Sequence, residues 1–249
     1  MKSLLTAAVL LAMAAQGRPA PAPRVPVLVE LFTSEGCSSC PAADALLESL
    51  QREQPVESAL IIPVGLHVDY FDHAGWKDAF SSAAFSERQR TYSEKFGPDS
   101  VFTPQIVVNG HEAVVGNESD LVRRAITSAA TRSPLPLSIA AQTAADRLRL
   151  TIDMPAAPAN TEQIQVFAAI TQDGLSTVVK AGENGGRTMR HVAVARKLER
   201  IHVLGRAARV IDTTMPVSSR WGSDGLNAVV WLQGSKSRQV YAAAIRPIR

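Results

Sequence analysis

The run Val27-Leu28-Val29-Glu30-Leu31-Phe32, then Thr33-Ser34-Glu35-Gly36, then Cys37-Ser38-Ser39-Cys40-Pro41, decides how this chain reads. Its first six residues are apolar and β-favouring. From the cysteines onward Ala43, Leu46, Leu47 and Leu50 recur at helical spacing. A strand therefore hands over to a helix predicted from Cys37 to about Gln54, and the handover point carries the only two cysteines of the 249-residue chain.

A dithiol at that junction has a chemical rationale. The unpaired N–H groups and positive dipole end of a helix favour a thiolate, which is the reactive form of cysteine. Pro41 fits a first helical turn, where a missing N–H costs little. Glu35 stands two residues before Cys37, and no His, Lys or Arg lies within the motif. A carboxylate close in space raises a thiol pKa, whereas the helix terminus lowers it. The sign of the net shift stays open, and with it the choice between oxidant, reductant and isomerase.

Upstream, Lys2, the apolar run Leu4 to Leu11 and Ala12-Met13-Ala14 have the charged, apolar and small-residue order of a secretory signal. We expect residues 1–14 to be a signal peptide and residues 15–25 a flexible leader, with a mature protein that is periplasmic or secreted from a bacterium. No other segment is long and apolar enough to span a bilayer. Outside the cytosol a vicinal cysteine pair persists as a disulfide. A purely structural bond closing so short a loop would stabilise little.

An apolar content of 46% supports a real core. Charge is uneven along the chain. Up to Ser133 there are 11 Lys and Arg against 15 Asp and Glu, a balance of −4; from Pro134 onward there are 15 against 8, a balance of +7. Opposite signs favour docking of the halves or an acidic partner, while scattered solvated Arg is the blander explanation. No basic stripe interleaved with aromatics marks a nucleic-acid surface.

The first half alternates strand and helix. Leu60 to Val68 is a strand-like run that Pro63 and Gly65 weaken. Ser81 to Phe96 is a helix stopped by Gly97-Pro98. Gln105 to Val108 and Glu112 to Val115 flank Asn109-Gly110, a type I′ hairpin signal. Asn117 then caps a last helix carrying Leu121, Val122, Ala125, Ile126 and Ala129. After a proline-bearing linker the second half reads as strands: Leu137–Ala141, Leu148–Ile152, Ile164–Ile170, Ser176–Lys180, Arg190–Ala195, Ala208–Asp212, Ala228–Leu232 and Gln239–Ile245.

Strand, Cys-x-x-Cys, helix, and then Thr103-Pro104 just before a strand and hairpin: this order resembles the thioredoxin fold. The resemblance implies that Pro104 is a cis-proline facing the dithiol and that Thr103 presents its backbone to a substrate. It narrows further. Glu30 to Pro41, His67-Val68-Asp69-Tyr70-Phe71-Asp72, Gly75-Trp76, Phe80-Ser81-Ser82, Arg88-Gln89, Gly182-Glu183-Asn184-Gly185-Gly186-Arg187 and His191 resemble the exported bacterial DUF1223 group. That resemblance implies an α/β thioredoxin-like domain over residues 26–132, followed by an all-β, sandwich-like C-terminal domain over residues 137–249.

The leading expectation is an exported thiol–disulfide oxidoreductase in which Cys37 attacks and Cys40 resolves. Its substrates would be proteins or small thiols and disulfides, with no cofactor, no nucleic acid and no transmembrane segment in the mature chain. Thr103, Pro104, His67, Asp69 and Trp76 would line the substrate groove, since strand ends face the ligand crevice in open α/β sheets. Each also has a structural explanation, with Trp76 as packing, Asp69 as a loop or cap residue and His67 as a buried hydrogen-bonded group. Gly182 to His191 reads either as an anion-binding segment or as an Asn-Gly-Gly turn. Two alternatives remain: Cu(I) handling, with His67, His73 or His111 as third ligand, and a non-enzymatic binding module with a resting disulfide.

Overall fold

The computed structural model of the protein describes residues 23–159 and 161–248. The predicted signal peptide, and the leader as far as residue 22, lie outside the described residues.

Strand β1 (Val25–Thr33) pairs in parallel with β2 (Ala59–His67) and antiparallel with β3 (Gln105–Val108), which continues into β4 (Glu112–Val115). Side chains along β1 alternate between faces. Val27, Val29 and Leu31 pack against helices α1 (Cys40–Glu53) and α3 (Ser119–Ala129), through Ala43, Leu47 and Leu50 on the first and Val122, Ala125 and Ile126 on the second. Leu28 and Phe32 face the other way, toward Phe85 and Tyr92 of α2 (Ala83–Phe96). The β3–β4 turn has φ of 46° at Asn109 and 59° at Gly110, both left-handed as a type I′ turn requires. A Cβ on Gly110 would lie 1.8 Å from the Arg238 carbonyl oxygen, so only glycine fits there.

The remaining strands are β5 (Ser138–Ala144), β6 (Arg147–Met154), β7 (Ile164–Gln172), β8 (Leu175–Val178), β9 (Thr188–His191), β10 (Val194–Val203), β11 (Arg209–Pro216), β12 (Leu226–Gly234) and β13 (Val240–Pro247). Here the structure corrects the expected fold class. An α/β thioredoxin-like domain followed by an all-β sandwich-like domain is not what forms. The molecule is mostly β, and one mixed eight-stranded sheet runs through both halves in the order β13-β12-β7-β10-β2-β1-β3-β4. A three-stranded sheet, β11-β6-β5, covers one face of β7 and β12 through Leu148, Leu150 and Ile152 against Val166, Ala168 and Val230. Strands β8 and β9 form a separate ribbon.

The seam explains why. The free edge of β2 meets β10, where the Gly65 N–H donates to the Ala193 carbonyl over 2.8 Å. A Cβ at Gly65 would sit 3.4 Å from the Val192 oxygen, so glycine permits this approach. Pro63 lies two residues earlier, on the same side of the strand but before the pairing begins at Gly65. Its missing N–H is not required there. Of the two residues that weakened the sequence signal for β2, Gly65 thus belongs to the seam and Pro63 lies just before it.

Side chains close the same seam. Arg88 of α2 pairs with Glu30 of β1, with Nη2 to Oε2 at 2.9 Å, and donates to Gln233 of β12 over 3.2 Å. Its guanidinium lies 5.0 Å from the Trp231 ring and 5.1 Å from the Phe167 ring. The predicted strand Arg190–Ala195 is in fact a break between β9 and β10, made at Ala193 with φ of 49°. Strand β10 then runs on through Lys197, Glu199 and Arg200, whose charges concealed it. No helix among the described residues is long and apolar enough to cross a membrane.

Candidate functional site around Cys37 and Cys40

Cys37 and Cys40 are joined by a disulfide, with Cα atoms 5.4 Å apart. Cys40 is the first residue of α1 and Cys37 sits in the turn before it, so the helix starts about one turn later than the expected start at Cys37. Pro41 occupies the first helical turn, and Ser39 is the N-cap without a side-chain cap bond. The serine hydroxyl instead lies 3.4 Å from Cys37 Sγ. Both cysteines are almost sealed, at 2% and 0% exposure, whereas Ser38 and Ser39 are exposed.

Beneath the disulfide lies a buried polar cluster. Glu35 is fully buried; Trp76 Nε1 donates to its Oε2 over 2.8 Å, and His191 Nε2 is 3.1 Å from its Oε1. Asp78 Oδ2 accepts from the Glu35 N–H over 2.9 Å and from His67 Nδ1 over 2.7 Å. Burial opposes a charge on His67, but the Asp78 carboxylate outweighs it and holds the imidazole above its ordinary pKa. Burial likewise opposes the charge on Asp78, yet His67 and the backbone donors hold that carboxyl below its ordinary value. The His67 and His191 rings meet edge to face, 4.9 Å apart.

Asp44, one helical turn after Cys40, completes the cluster. Burial pushes its carboxyl above the usual carboxylate range, against the pull of His67 and His191, and its Oδ2 has no hydrogen-bond partner among the described residues.

The second half of the chain reaches over the motif through the segment between β8 and β9. Asn184, fully buried, donates from Nδ2 to both the Glu35 and the Cys37 carbonyl oxygens, at 2.9 Å each. Arg187 fixes this orientation by donating to Asn184 Oδ1 over 3.1 Å. The Ser38 N–H donates to Glu183 Oε2 over 3.0 Å. Gly182 to Arg187 is therefore a turn whose side chains engage the cysteine loop.

Other anticipated residues divide. Trp76 joins the cluster. His67 is 1% exposed and points to Asp78, away from solvent. Asp69 is tied to α2 through Ser86, whose hydroxyl receives the Asp69 N–H over 3.0 Å. The Thr103–Pro104 peptide bond is cis. Pro104 is buried beside Gly116, where an added Cβ would lie 3.1 Å from Pro104 Cβ and 3.2 Å from Ala43 Cβ of α1. Among the described residues no three His, Cys, Asp or Glu side chains converge as a metal-ligand set. His73 is exposed, and His111 pairs with Arg132 at 2.8 Å. Asp44, Asp78, Glu183 and Asn184 were not singled out from sequence. The last two lay inside the glycine-rich motif that carries the family resemblance.

A family model described as "Protein of unknown function (DUF1223)" matches residues 28–233. No curated protein matches the chain. Among solved structures, a crystal structure of an Agrobacterium tumefaciens protein is similar over 90% of this chain and 94% of that one, at 24% identity and a TM-score of 0.68. HBP35 of Porphyromonas gingivalis is similar over 90% of this chain and 76% of its own, at 11% identity and a TM-score of 0.63. Both likenesses concern the fold.

Proposed function

Since the chain belongs to the DUF1223 family, whose description assigns no activity, we propose from its site that it is an exported thiol–disulfide oxidoreductase. The observation that carries this reading is the Cys37–Cys40 disulfide at the start of α1, set above a buried cluster of acids and histidines. In the reduced protein the Cys37 thiolate attacks one sulfur of a substrate disulfide and expels the other as a thiolate. The Cys40 thiolate then attacks Cys37 Sγ, expels the second substrate thiolate and re-forms the intramolecular bond. Two electrons and two protons pass to the substrate, which leaves as two thiols. The oxidant direction is the reverse.

Cys40 is fully buried, so its proton needs an internal acceptor. We assign that role to Asp44, four residues along the same helix face, where an unpaired Oδ2 is available. Thr103, beside the cis-proline, is the backbone we expect a substrate to meet. The oxidising compartments in which disulfides persist, and the signal-like residues 1–14, support export.

A second reading, a binding module with a resting disulfide, is favoured by the burial of both cysteines. One measurement separates the two: the reduction potential of the pair, equilibrated in glutathione buffers with thiol trapping. A value of roughly −120 to −270 mV supports exchange, and one well below about −300 mV overturns it in favour of the binding module.

A further inference from the structure

A cavity of about 370 Å³ opens behind the buried cluster, between β10, the segment Phe80–Ser82 and the short 3-10 helix Ser219–Trp221. Its volume lies within the range of small-molecule sites. The cavity is lined by Phe80, Trp221 and Arg196 together with Ser81, Ser82 and Lys197. Arg196 is half-buried. Its guanidinium lies 5.2 Å from the Phe80 ring and 5.4 Å from the Trp221 ring, and no carboxylate among the described residues comes within salt-bridge distance of it. Burial draws its pKa down with no acid to offset that cost. A half-buried guanidinium without an acid partner keeps its N–H donors open to an anion. The neighbouring cation, by contrast, is satisfied: Lys197 Nζ pairs with Glu199 at 2.9 Å.

We propose that this cavity binds a small monocarboxylate with a flat apolar body, its carboxylate on the Arg196 guanidinium and its body against Phe80 and Trp221. The fork of a guanidinium matches a carboxylate in a bidentate pair, and the aromatic walls match a flat body. One unpaired positive charge, beside the mutually neutralised Lys197–Glu199 pair, matches a monoanion better than a phosphate dianion. Phe80 is shared ground: its other contacts are the His67 ring at 5.4 Å and the His191 ring at 5.6 Å. The site thus backs onto the cluster beneath the disulfide without using the cysteines.

The test is a calorimetric titration of the oxidised protein with benzoate, with benzamide and inorganic phosphate as comparisons, on wild type, Arg196→Gln and Arg196→Lys. Because the disulfide stays intact, the outcome is independent of any exchange activity. Saturable benzoate binding in the millimolar range or tighter is expected, with no benzamide binding and a loss of about tenfold or more in Arg196→Gln. Arg196→Lys should fall between, since it keeps the charge and loses the fork; it carries the test if the Gln variant fails to fold. The proposal is overturned if wild type does not saturate with benzoate, if both variants bind it as wild type does, or if phosphate binds more tightly.

Discussion

Asn184 holds Cys37 from the other half of the chain: one side-chain amide donates to the carbonyl oxygens of Cys37 and Glu35, 2.9 Å each, across 147 residues of sequence in the first case. The cysteine loop therefore depends on a residue that no local signal connects to it.

Replacing Asn184 with Ala leaves the buried Glu35 carbonyl without a donor and takes one of two donors from the Cys37 carbonyl, which keeps the Cys40 N–H at 3.2 Å. Each unsatisfied buried group costs about 1–3 kcal/mol, so the variant should lose stability on that scale. Chemical denaturation measures the loss, and reduction by dithiothreitol should become faster as the loop loosens. Unchanged stability together with an unchanged reduction rate would refute the clamp.

The His67–Asp78 pair predicts a pH window. His67 titrates above its ordinary 6.5, so its contribution is complete below that value and fades as pH rises through the raised one. Asp78 titrates below its ordinary 3.8, so its contribution is complete above that value and fades as pH falls through the depressed one. The pair supports the fold most between 3.8 and 6.5. Thermal melts across pH should show wild type losing ground on both sides relative to Asp78→Asn; parallel curves would count against the pair.

Asp44 carries the opposite sign. Its pKa is raised on folding, so its ionisation opposes the fold as pH climbs above 3.8. Asp44→Asn should be more stable than wild type at pH 7 and equal to it in acid. If Asp44 accepts the Cys40 proton, the same variant should resolve mixed disulfides about a hundredfold more slowly, the low end for a positioned proton acceptor. Rapid-quench trapping of the mixed disulfide reads this step; wild-type resolution would remove Asp44 from the mechanism.

Glu183 places a carboxylate on the Ser38 N–H, beside the nucleophile. Glu183→Gln should raise the alkylation rate of reduced Cys37 by iodoacetamide at neutral pH. The side chain is exposed, so the gain is modest, about two- to fivefold, and shrinks with added salt. A slower variant would show that the carboxylate activates the thiol.

Arg88→Ala should destabilise the protein by about 3–5 kcal/mol, because it strands Glu30 as a buried unpaired charge. Arg88→Ala combined with Glu30→Gln should recover part of that loss. Urea denaturation of the single and double variants measures both, and simple additivity would mean that the two do not interact.

Local chemistry was legible where local chemistry decides the outcome. The alternation of Val27 to Phe32, the helical spacing of Ala43 to Leu50 and the left-handed Asn109-Gly110 turn each follow from neighbours a few residues apart. Strand β10 was not legible, because Lys197, Glu199 and Arg200 broke the apolar pattern. Nor were the partners of Glu35. Its own type and position were visible, but Trp76 and Asp78, His191, and Asn184 arrive from three other segments, and no pattern within the motif names them.

By itself, the sequence determined that two cysteines sit at a strand-to-helix turn and where the strands and helices of the first half lie, since propensity and periodicity act over short distances. Only the tertiary structure decided that both halves share one sheet, that Gly65 is the seam, and that buried carboxyls, two histidines and an asparagine gather beside the cysteine loop. Sheet edges pair through backbone groups that every residue carries, and buried charges find partners wherever the fold brings them. Neither leaves a mark on the residues next door.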